Sequence, residues 1–109
     1  MSGNRVVLDT SAAIDILGGD TRAAALVHDA EVYASVITRV ELLSVSRPGT
    51  HSPEAALALL ADCKMVQFTN EIQDITVQLR KKYKLKLPDA AIAATAAWIN
   101  AQLVLTSAI

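Results

Sequence analysis

Apolar and polar positions along the chain fall into two alternating rhythms. Arg5-Val-Val-Leu8 is a short apolar, β-branched run and predicts a first strand that ends at Asp9. Ala12 to Leu17 predicts a short helix stopped by Gly18-Gly19, and Asp20 caps a second helix from Thr21 to about Ala30. Val32 to Val36 predicts the second strand and Thr38 to about Ser46 the next helix, closed by the turn chemistry of Arg47-Pro48-Gly49. Ser52-Pro53 opens a helix running through Ala61, because proline is favoured at the first helical position. Met65 to Phe68 predicts a third strand. Thr69 or Asn70 then caps a helix from Glu71 to about Lys82, with Ile72, Ile75 and Leu79 on one stripe. Pro88-Asp89 opens an alanine-rich helix ending near Ala101, and Leu103 to Leu105 predicts a fourth strand.

Strands alternating with helices imply an α/β fold, a parallel sheet with helices on both faces. With 109 residues the expected organisation is one domain, small for this class. Burial is modest at that size, so association would help stability. No repeat, low-complexity segment or interdomain linker interrupts the pattern.

Composition narrows the function classes. Aromatic residues are few (Tyr33, Phe68, Tyr83 and Trp98), which disfavours stacking of bases on aromatic platforms. Cys63 is alone, so an intramolecular disulfide is excluded, and a small buried hydrophobe is the expected role. Met1 to Asp9 lacks the layout of a signal peptide, and Ala90 to Ile99 is too short to span a bilayer. A soluble cytoplasmic protein is the expectation. Net charge is −1, so distribution matters more than the sum. The dense basic run is Arg80, Lys81, Lys82, Lys84 and Lys86, five positive charges within seven residues.

Three acidic residues stand at element starts. Asp9 follows the first strand, at the sheet edge where parallel α/β folds bind ligands, and it is equally suited to cap the next helix. Glu41 lies in Thr38-Arg-Val-Glu41, which also reads as a capping box with Glu41 reaching back to the Thr38 amide. Asp89 follows Pro88, where the helix dipole favours an acid. The alanines after it let that helix pack close to its neighbours.

The contexts of these acids carry more than the acids alone. Leu8-Asp-Thr-Ser-Ala-Ala-Ile14, Ser35-Val-Ile-Thr-Arg-Val-Glu-Leu42 and Leu87-Pro-Asp-Ala-Ala-Ile-Ala-Ala94, in that order, resemble the PIN-domain family. More narrowly they resemble the VapC-type toxins of bacterial toxin–antitoxin pairs, over essentially the whole chain. The resemblance implies an αβα sandwich around a parallel sheet and an acidic cleft that binds Mg²⁺ or Mn²⁺. It implies endonuclease action on RNA, inhibition by a cognate antitoxin, and a homodimer. Carried over by position, Asp9, Glu41 and Asp89 are the catalytic, metal-binding acids. Thr10 or Ser11 matches the hydroxyl residue beside the first acid, and Thr106 is a further supporting residue.

Those residue types suit the chemistry. Mg²⁺ prefers oxygen ligands and takes a few carboxylates while keeping several waters. Clustered carboxylates repel one another, so a metal-free site raises the pKa of one of them. Arg80, Lys81, Lys82, Lys84 and Lys86 precede Asp89 and are candidate phosphate contacts, as is Arg39, with Arg47 a further candidate. The same run also suits a solvated helix end. The helix from Ala55 to Ala61, or the segment with Ile14, Leu17, Ala25 and Leu26, offers an apolar surface for a dimer or an antitoxin helix. His28 and His51 are isolated and read as surface or packing residues.

One departure from the family pattern stands at the C-terminal end. The family continues after its Leu-Val-Leu-Thr strand with an Asp or Asn near the Thr, then Asp-Phe and a fifth strand. Here Thr106-Ser107 is followed by Ala108-Ile109, so the expected sheet lacks the last strand and the fourth acidic position. An active ribonuclease toxin is therefore set beside an alternative, a catalytically weakened PIN-like module that binds RNA or protein. A phosphotransfer domain using Asp9 as nucleophile fits poorly, because Ser11 stands where its second acid belongs.

Overall fold

The computed structural model describes residues 4–44 and 51–104. In chain order the elements are β1 (Arg5–Leu8), α1 (Thr10–Leu17), α2 (Thr21–Leu26), β2 (Glu31–Ser35), α3 (Val36–Ser44), α4 (Pro53–Ala61), β3 (Lys64–Val66), α5 (Asn70–Tyr83), α6 (Leu87–Trp98) and β4 (Gln102–Val104). The described strands form one parallel sheet in the order β3-β2-β1-β4. Fold class and helix–strand alternation are thus as the sequence predicts.

Alternation along β1 builds two cores. Val6 and Leu8 pack on one face with Ala12, Ala13, Ala34, Leu42 and Leu60. Val7 points to the other face, against Ile92 and Ala96 of α6. Successive strand residues face opposite sides, so a central strand needs apolar residues at every position when both faces are covered. The α6 alanines at 90, 91 and 94 are fully buried, which lets the helix lie close to its neighbours.

Several boundaries differ from the predicted ones. Helix α2 stops at Leu26 rather than near Ala30, because Asp29 adopts a left-handed backbone (φ 63°), a conformation Asp tolerates better than most residues. Strand β2 ends at Ser35, and α3 starts at once. The buried Ser35 hydroxyl accepts a hydrogen bond from the Ile37 amide at 3.0 Å, which satisfies a freed helix-start donor and turns the chain directly out of the strand. Strand β3 covers Lys64–Val66 rather than Met65 to Phe68. Helix α6 stops at Trp98 rather than near Ala101. Asn100 is left-handed (φ 56°), and the Ala101 amide bonds back to the Ala96 carbonyl at 2.9 Å, a closure that ends a helix.

No helix among the described residues is long and apolar enough to cross a membrane. Cys63 is half-buried and packs against the first core, and burial pushes its thiol pKa up.

The acidic cleft at the carboxyl edge of the sheet

Asp9 leaves the carboxyl end of β1 and becomes the N-cap of α1. Its Oδ1 accepts the Ala12 amide at 2.8 Å, and its own amide donates to the Val104 carbonyl at 3.3 Å. The capping role expected as an ordinary explanation is real, and it does not exclude the other role, because a carboxylate has a second oxygen to offer. Asp89 sits in the first turn of α6, exposed. Asp9 and Asp89 line one cleft of about 250 Å³, walled by Leu85, Ile92, Ala93 and Leu103. Sequence reasoning did not single out these apolar walls. They come from α6, β4 and the turn between α5 and α6, and only the fold joins them.

Glu41 is where the local reading fails. Because α3 begins at Val36, Glu41 is its sixth residue and not part of the first turn. No capping box forms; Ser35 holds the helix start instead. Thr38, Glu41 and Leu42 share one helix face, as residues three and four apart do. That face turns towards α1: Thr38 and Leu42 are buried, Glu41 is half-buried, and Glu41 Oε1 accepts a hydrogen bond from the Thr10 hydroxyl. The Thr10 and Thr38 hydroxyl oxygens stand 3.3 Å apart.

The electrostatics of the edge are one-sided. Burial raises the Asp9 pKa above its ordinary value. The Ala12 amide opposes this, and the charges of Asp89, Asp15 and Glu41 add to the rise. Asp15, on α1, was not among the predicted site residues. Helical spacing alone gave no signal for it, since residues six apart on a helix point about 120° away from each other; its charge nevertheless reaches Asp9.

Other predicted residues are distributed unevenly. Ser11 is half-buried in the first turn of α1. Arg80, Lys81 and Lys82 occupy the last turn of α5, Lys84 caps it in a left-handed conformation (φ 56°), and Lys86 is the N-cap of α6. Lys84 and Lys86 therefore flank Leu85, a wall of the cleft. Arg80 Nε donates to the Leu85 carbonyl at 3.3 Å, and the Lys82 ammonium lies 5.3 Å from the Tyr83 ring centre. Arg39 is exposed on α3 two residues from Glu41, and residues two apart do not share a helix face. His28 is exposed, and His51 is part-buried with Nε2 3.3 Å from the Leu42 carbonyl. Thr106, Arg47 and Ala108 lie outside the described residues.

The donor chemistry fits a hard divalent cation in one way only. Among the described residues no three His, Cys, Asp or Glu side chains are grouped closely enough to hold a metal by themselves. Asp9 and Asp89 share the cleft, and Mg²⁺ commonly binds one or two carboxylates and completes its shell with water.

Among solved structures, a toxin–antitoxin complex from Klebsiella pneumoniae is similar at 29% identity, with a TM-score of 0.81, covering 92% of this chain and 84% of that one. A VapBC-5 toxin–antitoxin structure from Mycobacterium tuberculosis is similar at 25% identity and a TM-score of 0.66, covering 95% and 86%. VapBC2 from Rickettsia felis, bound to a fragment of promoter DNA, shares the fold at 19% identity and a TM-score of 0.73, covering 93% and 86%. No curated protein matches the sequence. The PIN domain family matches residues 6–107, and the chain belongs to that family.

Proposed function

We propose that this chain is a divalent-metal-dependent endoribonuclease, the toxin of a toxin–antitoxin pair. The observation that carries the reading is the one-sided charge at Asp9. The half-buried carboxylate shares a cleft with Asp89, and the charged side chains that act on it, Asp89, Asp15 and Glu41, are all acidic. A fold keeps such repulsion where function uses it, and a cation relieves it. Asp9 and Asp89 are read as Mg²⁺ or Mn²⁺ ligands, directly or through water, with Glu41 as the third acid of the site. A bound divalent cation lowers the pKa of a coordinated water and offsets charge on a phosphodiester. The chain's own part is to hold the acids in place: the α1 cap fixes Asp9, and the Thr10 hydroxyl holds Glu41. Arg80, Lys81, Lys82, Lys84 and Lys86 are read as contacts to RNA phosphates, with Arg39 further from the cleft.

The similarity to toxin–antitoxin complexes supports an antitoxin as partner. Leu26 on α2, Val40 on α3 and Leu57 on α4 are large exposed apolar residues, and they are read as serving that partner or a homodimer. A cytoplasmic location follows from the toxin reading and its RNA substrate.

The absence of a closely grouped carboxylate trio among the described residues favours a second reading, an RNA- or protein-binding module that does not cleave. Cleavage of a mixed-sequence fluorogenic RNA with Mn²⁺ separates the two. The ribonuclease reading expects metal-dependent cleavage that Asp9→Asn abolishes, since Asn keeps the helix cap and removes the charge. RNA binding without cleavage by the unaltered chain overturns it in favour of the second.

A further inference from the structure

Thr38 is 1% exposed, and its hydroxyl lies within reach of one described polar partner, Thr10 Oγ1 at 3.3 Å. Thr10 Oγ1 in turn meets both Thr38 Oγ1 and Glu41 Oε1. A threonine hydroxyl has one proton to donate and two lone pairs to accept with, while a carboxylate only accepts. The single arrangement that satisfies both contacts has Thr10 donating to Glu41 and Thr38 donating to Thr10. The three side chains then form a directed chain, Thr38 to Thr10 to Glu41, from the buried interior to a half-buried carboxylate whose charge reaches Asp9. It spans two helices, α1 and α3, so it also fixes where Glu41 stands relative to Asp9.

We propose that Thr38 is a positioning residue for the metal site: it orients the Thr10 hydroxyl, which holds the Glu41 carboxylate where its charge reaches Asp9. This rests on the reading of the cleft as a divalent-cation site. The hydroxyl is buried, and a buried polar group without a partner costs stability, so its placement is tied to the chain it belongs to. Outer groups that orient metal-binding side chains affect affinity without touching the ion.

The test is Mn²⁺ binding to the metal-free protein, read from the free-ion electron paramagnetic resonance signal, with thermal melts alongside. Thr38→Val keeps the shape and deletes the hydroxyl, and about tenfold weaker Mn²⁺ binding is expected. Thr38→Ser keeps the hydroxyl and loses a methyl group. It should melt lower and still bind Mn²⁺ within about twofold of the unaltered chain. Because Thr38 acts through Thr10, the double variant T10V/T38V should bind no more weakly than T10V alone. Thr38→Ala is the second hydroxyl-free variant if T38V does not fold. Equal binding by T38V and the unaltered chain overturns the proposal, as does weaker binding by T38S than by T38V. If the unaltered chain itself binds no Mn²⁺, the cation-site reading fails and the proposal goes with it.

Discussion

The two ends of the same parallel sheet treat acidic residues in opposite ways. At the amino end, Glu31 opens β2 between Arg5 of β1 and Lys64 of β3. Lys64 Nζ stands 2.6 Å and Arg5 Nε 4.0 Å from its carboxylate, and Lys64 also lies 5.6 Å from the Tyr33 ring centre. The Lys64 hydrogen bond and charge hold the Glu31 pKa below its ordinary value. At the carboxyl end, Asp9 is half-buried beside Asp89, Asp15 and Glu41, and its pKa is raised. One end neutralises its acid from adjacent strands; the other gathers acids. The difference teaches that the acidic edge is no by-product of composition. The chain carries nearly equal numbers of acidic and basic residues, 11 and 10, and distributes them asymmetrically.

If that asymmetry is functional, supplying the carboxyl edge with its own cation should destroy it. Ala93 lines the cleft one helical turn after Asp89. In Ala93→Lys the new ammonium pairs with Asp89 in the favourable acid-before-base spacing. Mn²⁺ affinity and cleavage should fall at least about a hundredfold, since two unit charges about 6 Å apart in an effective dielectric of about 20 repel by about 3 kcal/mol and the cation carries two. Calorimetric Mn²⁺ titration checks this, and an unchanged affinity would separate the cleft from metal binding.

A smaller effect concerns stability without metal. Burial and like charges disfavour ionised Asp9, so the folded chain holds that proton to higher pH than the unfolded chain does. Between the ordinary value of 3.8 and the raised folded value, the folded state binds more protons, and stability falls as pH rises. Above the folded value the destabilisation is complete; below 3.8 it is absent. Metal-free Asp9→Asn should therefore melt higher than the unaltered chain at neutral pH, and the gap should close on acidification. Saturating Mn²⁺ should reverse the order, because only the aspartate gains from the cation. Melting curves from pH 3 to 8 (with and without Mn²⁺) test both signs.

The smallest effect belongs to the amino end. Glu31→Gln removes the paired acid, yet the pair is solvent-exposed and screened. Cleavage should be unchanged and the melting temperature barely altered. A loss of activity as large as that of Asp9→Asn would erase the contrast between the two ends.

Much of the architecture was legible before any coordinates. Four apolar runs and the helical segments between them announce a parallel α/β sheet, since covering both faces of a strand demands consecutive apolar residues such as Val6, Val7 and Leu8. Asp9 and Asp89 were legible as edge acids because both stand at element starts. Glu41 is legible in sequence as an acid in a family-like context, but its local setting is not: Thr38 and Glu41 match a capping box, while the helix start belongs to Ser35. Capping depends on which residue leaves the strand last, and a buried serine hydroxyl decided that. Arg80, Lys81 and Lys82 fall in the last turn of α5, as the sequence predicts, while Lys84 and Lys86 lie beyond it, and the run's approach to the cleft through Leu85 depends on how α5 turns into α6.

What the sequence by itself determined is the inventory and its order: the sheet-forming runs, the caps at Asp20, Ser52 and Thr69, and the three acids with their flanking residues. These are local properties, set by side-chain shape, backbone preference and hydrophobic period. Only the tertiary structure decided which groups meet. Thr10 and Thr38 are 28 residues apart, and Asp9 and Asp89 come from elements at opposite ends of the chain. Their meeting follows from the strand order, which sets β1 between β2 and β4 and so draws α1, α3 and α6 to one edge. Parallel pairing is non-local, and no window along the chain contains it.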